Sequence, residues 1–218
     1  MKKLFLTLLF VFASATCARA DEIALWNFND SDLVVDRGSG TIESNFNPAN
    51  ITFSSGTSVN AQMGDVAGQA LVLAGGTSLQ NNGANITLRV STVGFGSIVV
   101  SFATQRTSTG FNSNQFQYST DGVTFLDFGS PYDPPASFGV QLFDLSSITA
   151  LNNNALAAFR IVFNGASGAT GNNRLDNLLV SGTTQPTAEP VPEPATMLLF
   201  GTGLAGVACT IRRRRKTA

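Results

Sequence analysis

Acidic side chains that follow the first apolar segment are the residues of this sequence best suited to chemistry. Asp30 and Asp32 come directly after the segment Ile23–Phe28, and Asp36 follows shortly. Oxygen ligands on a flexible loop suit Ca²⁺, and Asp176 could join them if the first and last strands are neighbours. The sequence therefore predicts a structural calcium site at Asp30, Asp32 and Asp176, and indicates no other cofactor. The alternative is a solvated turn, since Asp and Asn favour turns for backbone reasons alone.

Two loop aromatics could bind a sugar ring by stacking. Tyr132 lies within Ser130–Pro135, where prolines would hold the loop rigid and present the ring outward, and Phe111 follows a glycine in a similar polar loop. The alternative is that each ring folds over the edge of the core. Trp26, the only tryptophan, has apolar neighbours and is expected in the core.

Catalysis finds little support in the sequence. The chain has no histidine, which excludes Ser-His-Asp triads, Cys-His pairs and His-ligated zinc. A glycosidase would need two carboxylates that face each other across a cleft, and the sequence does not single out such a pair. We therefore predict no catalytic residue and no enzymatic activity.

The N-terminal residues 1–20 have the pattern of a secretory signal peptide. A lysine pair precedes the apolar segment Leu4–Ala13, and the small residues Ala18 and Ala20 mark a cleavage position before Asp21. The chain is therefore expected to be exported. Removing this segment leaves a domain that starts at residue 21.

The C-terminal residues have the pattern of a membrane anchor. Ala195 to Ile211 is a 17-residue stretch without a charge, which as a helix would be about 25 Å long, at the short end for crossing a bilayer. The basic tail 212–218 follows, and positive charge beside a membrane span stays cytoplasmic. Prolines in Val191–Pro194 keep that segment extended and accessible ahead of the helix.

This order of elements closely resembles the PEP-CTERM sorting signal of Gram-negative bacteria. The resemblance covers residues 191–218 and implies that Pro192, Glu193 and Pro194 are the recognition motif of an exosortase, a membrane enzyme that cleaves nearby. It also implies a transient stay in the inner membrane and then transfer to the cell envelope or the extracellular matrix. An ordinary C-terminal anchor is the alternative.

Between the two ends, the sequence predicts an all-β domain over residues 21–181, followed by a Thr/Pro-rich linker at 182–190. No segment of useful length has a helical period, whereas short alternating or apolar segments recur between turns rich in Asn, Gly and Ser. A turn at Thr120–Gly122 is expected to join Asn114–Ser119 to a returning strand at Val123–Phe128. The other candidate strands are Ile23–Phe28, Ala70–Ala74, Ile86–Val90, Ser97–Phe102, Val140–Phe143, Phe159–Phe163 and Leu175–Val180.

Many short strands favour a single antiparallel β-sandwich, with most of the 17 phenylalanines facing inward. Phrases such as Ile23–Phe28, Phe116–Gly122 and Arg174–Gly182 resemble jelly-roll domains of exported bacterial proteins. That resemblance implies a jelly-roll-like fold in which the last strand pairs near the first.

The charge of residues 21–190 restricts the partners. They contain 13 acidic side chains and five arginines, a net charge of −8, and no lysine or cysteine. Nucleic acid is excluded as a partner because its phosphates would be repelled, and stability must come from the core rather than from disulfides.

The sequence therefore predicts an exported surface or matrix protein with a structural or interaction role in exopolysaccharide or biofilm. The alternatives are a carbohydrate-binding module for exopolysaccharide and a polysaccharide hydrolase.

Overall fold

The structure, a computed structural model, describes residues 20–62 and 64–185, which contain β-strands, turns and short 3-10 segments but no α-helix. In these ranges no helix is long and apolar enough to cross a membrane. The strands in chain order are β1 (Asp21–Trp26), β2 (Arg37–Gly38), β3 (Thr41–Ser44), β4 (Ile51–Ser55), β5 (Gln69–Ala74), β6 (Asn85–Arg89), β7 (Phe95–Arg106), β8 (Ser113–Ser119), β9 (Leu126–Asp127), β10 (Gly139–Asp144), β11 (Ala158–Asn164) and β12 (Asn172–Thr184).

These strands form two antiparallel sheets around one core. The first sheet has the order β10-β7-β12-β1-β2, and β5 pairs with β12 and carries β4 at its other edge. The second sheet has the order β3-β6-β11-β8-β9. Both sheets contribute side chains to the same buried cluster. The domain is the all-β, jelly-roll-like sandwich that the sequence predicts.

Period-two alternation explains which residues face the core. In β11, Phe159, Ile161 and Phe163 are fully buried in the core, so Arg160 and Val162 must point to the opposite face of the sheet. The same alternation buries Phe116 in β8. The phenylalanines of β8 and β11 therefore face the core, and Arg160 lies on the opposite face of the second sheet.

Aromatic rings connect the two sheets through the core. The rings of Phe116 in β8 and Phe143 in β10 are stacked, with centroids 3.9 Å apart and an interplanar angle of 6°. Phe116 also lies beside Phe159, at 6.4 Å between centroids. The phenylalanine-rich composition thus serves packing between the sheets.

The first and last strands are neighbours, as the jelly-roll resemblance implies. Asp21 lies opposite Gly182 and Leu25 opposite Leu179 in an antiparallel pair. Along β12 the register shifts between Asp176 and Leu179, where Asn177 has a φ of 48°. This irregularity lets β12 pair with β5 over its first part and with β1 over its last part.

The end of the domain corrects the predicted linker. Gly182 to Thr184 belong to β12, and the Gln185 N–H donates to the Gly94 carbonyl oxygen at 2.8 Å. The prediction that a linker begins at residue 182 is therefore wrong, because these residues complete the sheet. Residues 186–190 lie outside the described residues.

The predicted return strand at Val123–Phe128 is also mostly wrong. Only Leu126–Asp127 pairs as β9. The reason is that one carboxylate oxygen of Asp121 accepts the N–H groups of Val123 and Thr124, at 2.8 and 2.7 Å. These bonds keep the segment in a turn before it can join the sheet.

Candidate functional site

The loop after β1 uses its carboxylates to hold its own backbone. Asp36 Oδ2 accepts the Asn27 N–H at 2.6 Å, and Asp32 Oδ1 accepts the Val34 N–H at 2.8 Å. Burial raises the pKa of Asp36, and the nearby charges of Asp30 and Asp32 raise it further. These contacts are those of an Asp-rich turn.

Asp176 fastens a loop to the outer face of the first sheet. Its residue exposure is 1 %, and its two oxygens accept the Thr57 N–H at 2.6 Å and the Asn177 N–H at 2.8 Å. Burial raises its pKa to about 6, although both hydrogen bonds lower it. The close contact between this loop and Asp176 also requires glycine at position 56, because a Cβ on Gly56 would lie 2.5 Å from Asp176 Oδ2.

The predicted calcium ligand set is therefore wrong. In the described ranges, 20–62 and 64–185, no group of three or more acidic side chains could hold a metal ion. Asp30 and Asp32 stay in the loop after β1, whereas Asp176 faces the backbone of Thr57. Adjacent first and last strands are not sufficient to bring these three carboxylates together.

Phe111 is not available for stacking on a sugar. It is fully buried and packs edge-on against Phe46 and Phe163, at centroid distances of 5.7 and 5.6 Å. Its backbone also exchanges two hydrogen bonds with the Asn173 side chain. The prediction of an outward ring is wrong because this loop turns into the core.

Tyr132 also turns inward. Its ring lies 5.8 Å from Phe143 and 6.5 Å from Phe102 between centroids, and burial raises the pKa of its hydroxyl. Two backbone hydrogen bonds of 2.9 Å to Asn114 hold the loop against β8. The prolines around Tyr132 fix the loop, but this pairing directs the half-buried ring to the core edge, so the prediction of an outward ring is wrong here too.

A cavity of about 500 Å³ opens on the first sheet beside the start of β1. Arg37 lines this cavity. Its Nε lies 3.0 Å from Glu22 Oε1, and its Nη1 lies 3.1 Å from Asp65 Oδ1. These carboxylates are thus committed to one cation. The remaining lining is Ala20, Asp21, Gln62, Leu179 and Ser181.

The outer face of the second sheet carries a continuous line of polar side chains, one from each strand, which we call the polar row. Residues directly opposite in neighbouring strands share a face, and the register places each member opposite the next. The row consists of Glu43, Thr87, Arg160, Gln117 and Asp127.

Arg160 stands at the centre of the polar row with no carboxylate partner. Its Nε donates to Thr87 Oγ1 at 3.1 Å, and its Cζ lies 3.5 Å from the centroid of the Phe125 ring. Among residues 20–62 and 64–185, ion pairs involve Arg37, Arg89 and Arg106 but not Arg160. Burial and the charge of Arg89 lower the pKa of Arg160.

The sequence contained a partial signal for this row. Alternation in Phe159–Phe163 and in Asn114–Ser119 already directs Arg160 and Gln117 away from the core. The pairing of the strands, which puts the two side chains side by side, is a long-range property and could not be obtained from either segment.

The C-terminal residues give a specific match to a known sorting signal. The pattern of the PEP-CTERM protein-sorting motif matches residues 190–215, which include Pro192, Glu193 and Pro194. The chain carries a PEP-CTERM protein-sorting motif. This confirms the resemblance seen in the sequence. The PEP-CTERM motif, the apolar stretch 195–211 and the basic tail lie outside the described residues, as does Ala18 of the signal peptide.

Comparison with curated proteins finds no match to the chain. Among solved structures, the CBM22-1 xylan-binding domain from Paenibacillus barcinonensis Xyn10C is similar, with 11% identity, a TM-score of 0.49, and 78% of this chain and 100% of that chain covered. Domain 4 of AbnA, an extracellular arabinanase from Geobacillus stearothermophilus, solved with arabinotriose, has 16% identity and a TM-score of 0.46. The match covers 82% of this chain and 98% of that chain. TmCBM61 in complex with β-1,4-galactotriose has 11% identity and a TM-score of 0.43. The match covers 71% of this chain and 92% of that chain.

Proposed function

We propose that this chain is an exported, non-enzymatic protein of the cell surface or extracellular matrix of a Gram-negative bacterium. An exosortase recognises it at Pro192, Glu193 and Pro194 while the inner membrane holds it transiently, and cleavage near the motif releases it. The observation that carries this proposal is the sorting motif at residues 190–215. A structural or interaction role in exopolysaccharide or biofilm follows from that destination.

The geometry of the sandwich supports release by cleavage. Both sheets are complete by Gln185, so the fold does not depend on the residues that would be removed. Asp21, the first residue after the proposed signal cleavage, lies opposite Gly182 and accepts a hydrogen bond from the Thr184 hydroxyl. The two ends of the described sandwich, at residues 21 and 184, therefore lie side by side in the first sheet.

We expect the intact mass of the extracellular protein to show loss of both ends, with the new C-terminus near residues 192–194. A triple variant with Ala at Pro192, Glu193 and Pro194 should instead accumulate in the inner membrane with its basic tail intact. Pro186→Ala, just upstream of the motif, is the matched control and should be processed normally. A wild-type protein that keeps its tail and stays in the inner membrane would mean an ordinary anchor.

We propose glycan binding as a second function, on the basis of the polar row. This face carries a guanidinium, amide and carboxylate groups, and Phe125 lies half-buried against Arg160. Together these groups offer the polar contacts and the aromatic surface that sugars require.

Affinity electrophoresis of the full chain in detergent, through gels that each contain one polysaccharide, tests this function. We expect retardation in at least one gel, relative to a polysaccharide-free gel. Unchanged mobility in every gel, neutral and acidic, would argue against glycan binding and leave the sorting proposal intact.

A further inference from the structure

We propose that Arg160 is a specificity residue that binds the carboxylate of an acidic sugar, so that the ligand of the polar row is a uronate-containing glycan. This inference rests on the proposal that the sandwich binds glycans, and it names the chemical class of the ligand.

The guanidinium of Arg160 is fixed by contacts on one face and at Nε, and its other donor groups are open to a ligand. Phe125 covers one of its faces, with Cζ 3.5 Å from the ring centroid, and Nε is occupied by Thr87 Oγ1. In the described part of the chain, its two Nη groups donate no hydrogen bond. A planar pair of N–H donors with a fixed orientation matches the two oxygens of a carboxylate.

The neighbouring charges cannot supply that carboxylate from within the domain. Glu43 is bound to Arg89, with 2.8 Å between Arg89 Nε and Glu43 Oε1. Asp127 accepts the Gln117 side-chain amide at 2.8 Å. Both carboxylates of the polar row are therefore engaged at its ends, and the cation at its centre has none.

The setting of this cation is unusual for the domain. Residues 21–190 have a net charge of −8, yet Arg160 and Arg89 stand in neighbouring strands of one face. Burial, and after it repulsion from Arg89, lowers the pKa of Arg160, which Glu43 only partly offsets. A bound carboxylate would relieve this repulsion. Because the overall negative charge opposes an acidic polymer at long range, selectivity must come from the direct contact, which salt screens less than the long-range field.

Groups around Arg160 can contact sugar hydroxyls. Gln117 is half-buried directly opposite Arg160, and Gln115 and Asn85 are half-buried opposite Val162 in the next row. The side-chain nitrogens of Gln117 and Gln115 already donate hydrogen bonds within the domain, so their amide oxygens are the groups that can accept from sugar hydroxyls. The face thus combines one anion-binding group with several neutral polar groups, as an acidic sugar with free hydroxyls requires.

The test measures binding of the full chain in detergent to immobilised polygalacturonate and polymannuronate, each compared with its carboxyl-reduced form. We expect tighter binding to the acidic polymers, and a loss of about tenfold or more in Arg160→Gln, since a charge-assisted hydrogen bond is removed. Arg160→Lys, which keeps the charge but loses the planar donor pair, should fall between them. Arg174→Gln is the matched control, because Arg174 also lacks an ion pair in the described residues but lies in the first sheet.

Three results would overturn the inference. Equal binding of acidic and reduced polymers, unaffected by Arg160→Gln, would leave glycan binding standing and remove the carboxylate specificity. Equal losses in Arg160→Gln and Arg174→Gln would show an effect of net charge alone. Failure of the wild-type chain to bind any of the four polymers would remove glycan binding together with this inference. Unchanged melting temperatures of the variants confirm that they are folded.

Discussion

Phe116→Ala should lower the free energy of unfolding of the sandwich by about 3–5 kcal/mol, the usual cost of removing a buried aromatic ring. Phe116 is fully buried, and its stacked contact with Phe143 at 3.9 Å joins the two sheets. Since a domain of this size has about 5–15 kcal/mol in total, the variant should lose much of its stability. Urea unfolding can be followed through Trp26, the only tryptophan and a fully buried one.

Val123→Ala is a suitable control, because this side chain is 81% exposed and its truncation should change stability by less than about 0.5 kcal/mol. A similar small effect for Phe116→Ala would mean that the stacked pair does not hold the sheets together.

Asp176→Asn should remove a pH dependence from the stability of the domain. In the folded state the pKa of Asp176 is raised from 3.8 to about 6, so the folded protein holds a proton that the unfolded chain releases between these values. Stability therefore falls as the pH rises through this window, by up to about 3 kcal/mol. Below pH 3.8 both states are protonated, and above pH 6 the full loss is present.

The measurement is the free energy of unfolding of wild type and variant at several pH values from 4 to 7. The difference between the two curves isolates Asp176, since the other titrating groups are shared. Asp127→Asn, an equal charge change at an exposed position, should give a curve parallel to wild type. If wild type and Asp176→Asn gave parallel curves, the carboxyl of Asp176, which accepts the Thr57 N–H, would not titrate between pH 4 and 7.

Strands with a strong local pattern were predictable from the sequence. Asn114–Ser119 alternates strictly and Phe159–Phe163 has an apolar residue at every second position, and both form inner strands of the second sheet. Strands β2, β3 and β4 were missed because they are short and polar, and partners elsewhere in the chain stabilise them. The sorting motif was predictable because all of its elements are contiguous.

The candidate sites were harder to predict because they depend on side-chain direction within loops. Tyr132 and Phe111 were expected to point outward from polar loops. Backbone pairing with Asn114 instead holds Tyr132 against the core edge, and the Asn173 side chain holds the backbone of the buried Phe111. Arg160 lay in a correctly predicted strand, yet its lack of a counter-charge is visible only when the neighbouring strands are in place. Local pattern indicates which face a residue occupies, whereas its neighbours are determined by long-range pairing.

The pairing of β1 with β12 has a consequence for the timing of biogenesis. On the proposed export route, the first strand cannot complete its pairing until the last strand has also been exported, since Leu25 lies opposite Leu179. Pairing between such distant segments is slow, so the sandwich closes only after almost the whole chain has been translocated. The sorting motif follows shortly after β12 in the sequence. On the proposed route, attachment at the membrane would therefore coincide with the completion of folding. Incompletely paired strands would then stay at the membrane and would not be released where they could aggregate.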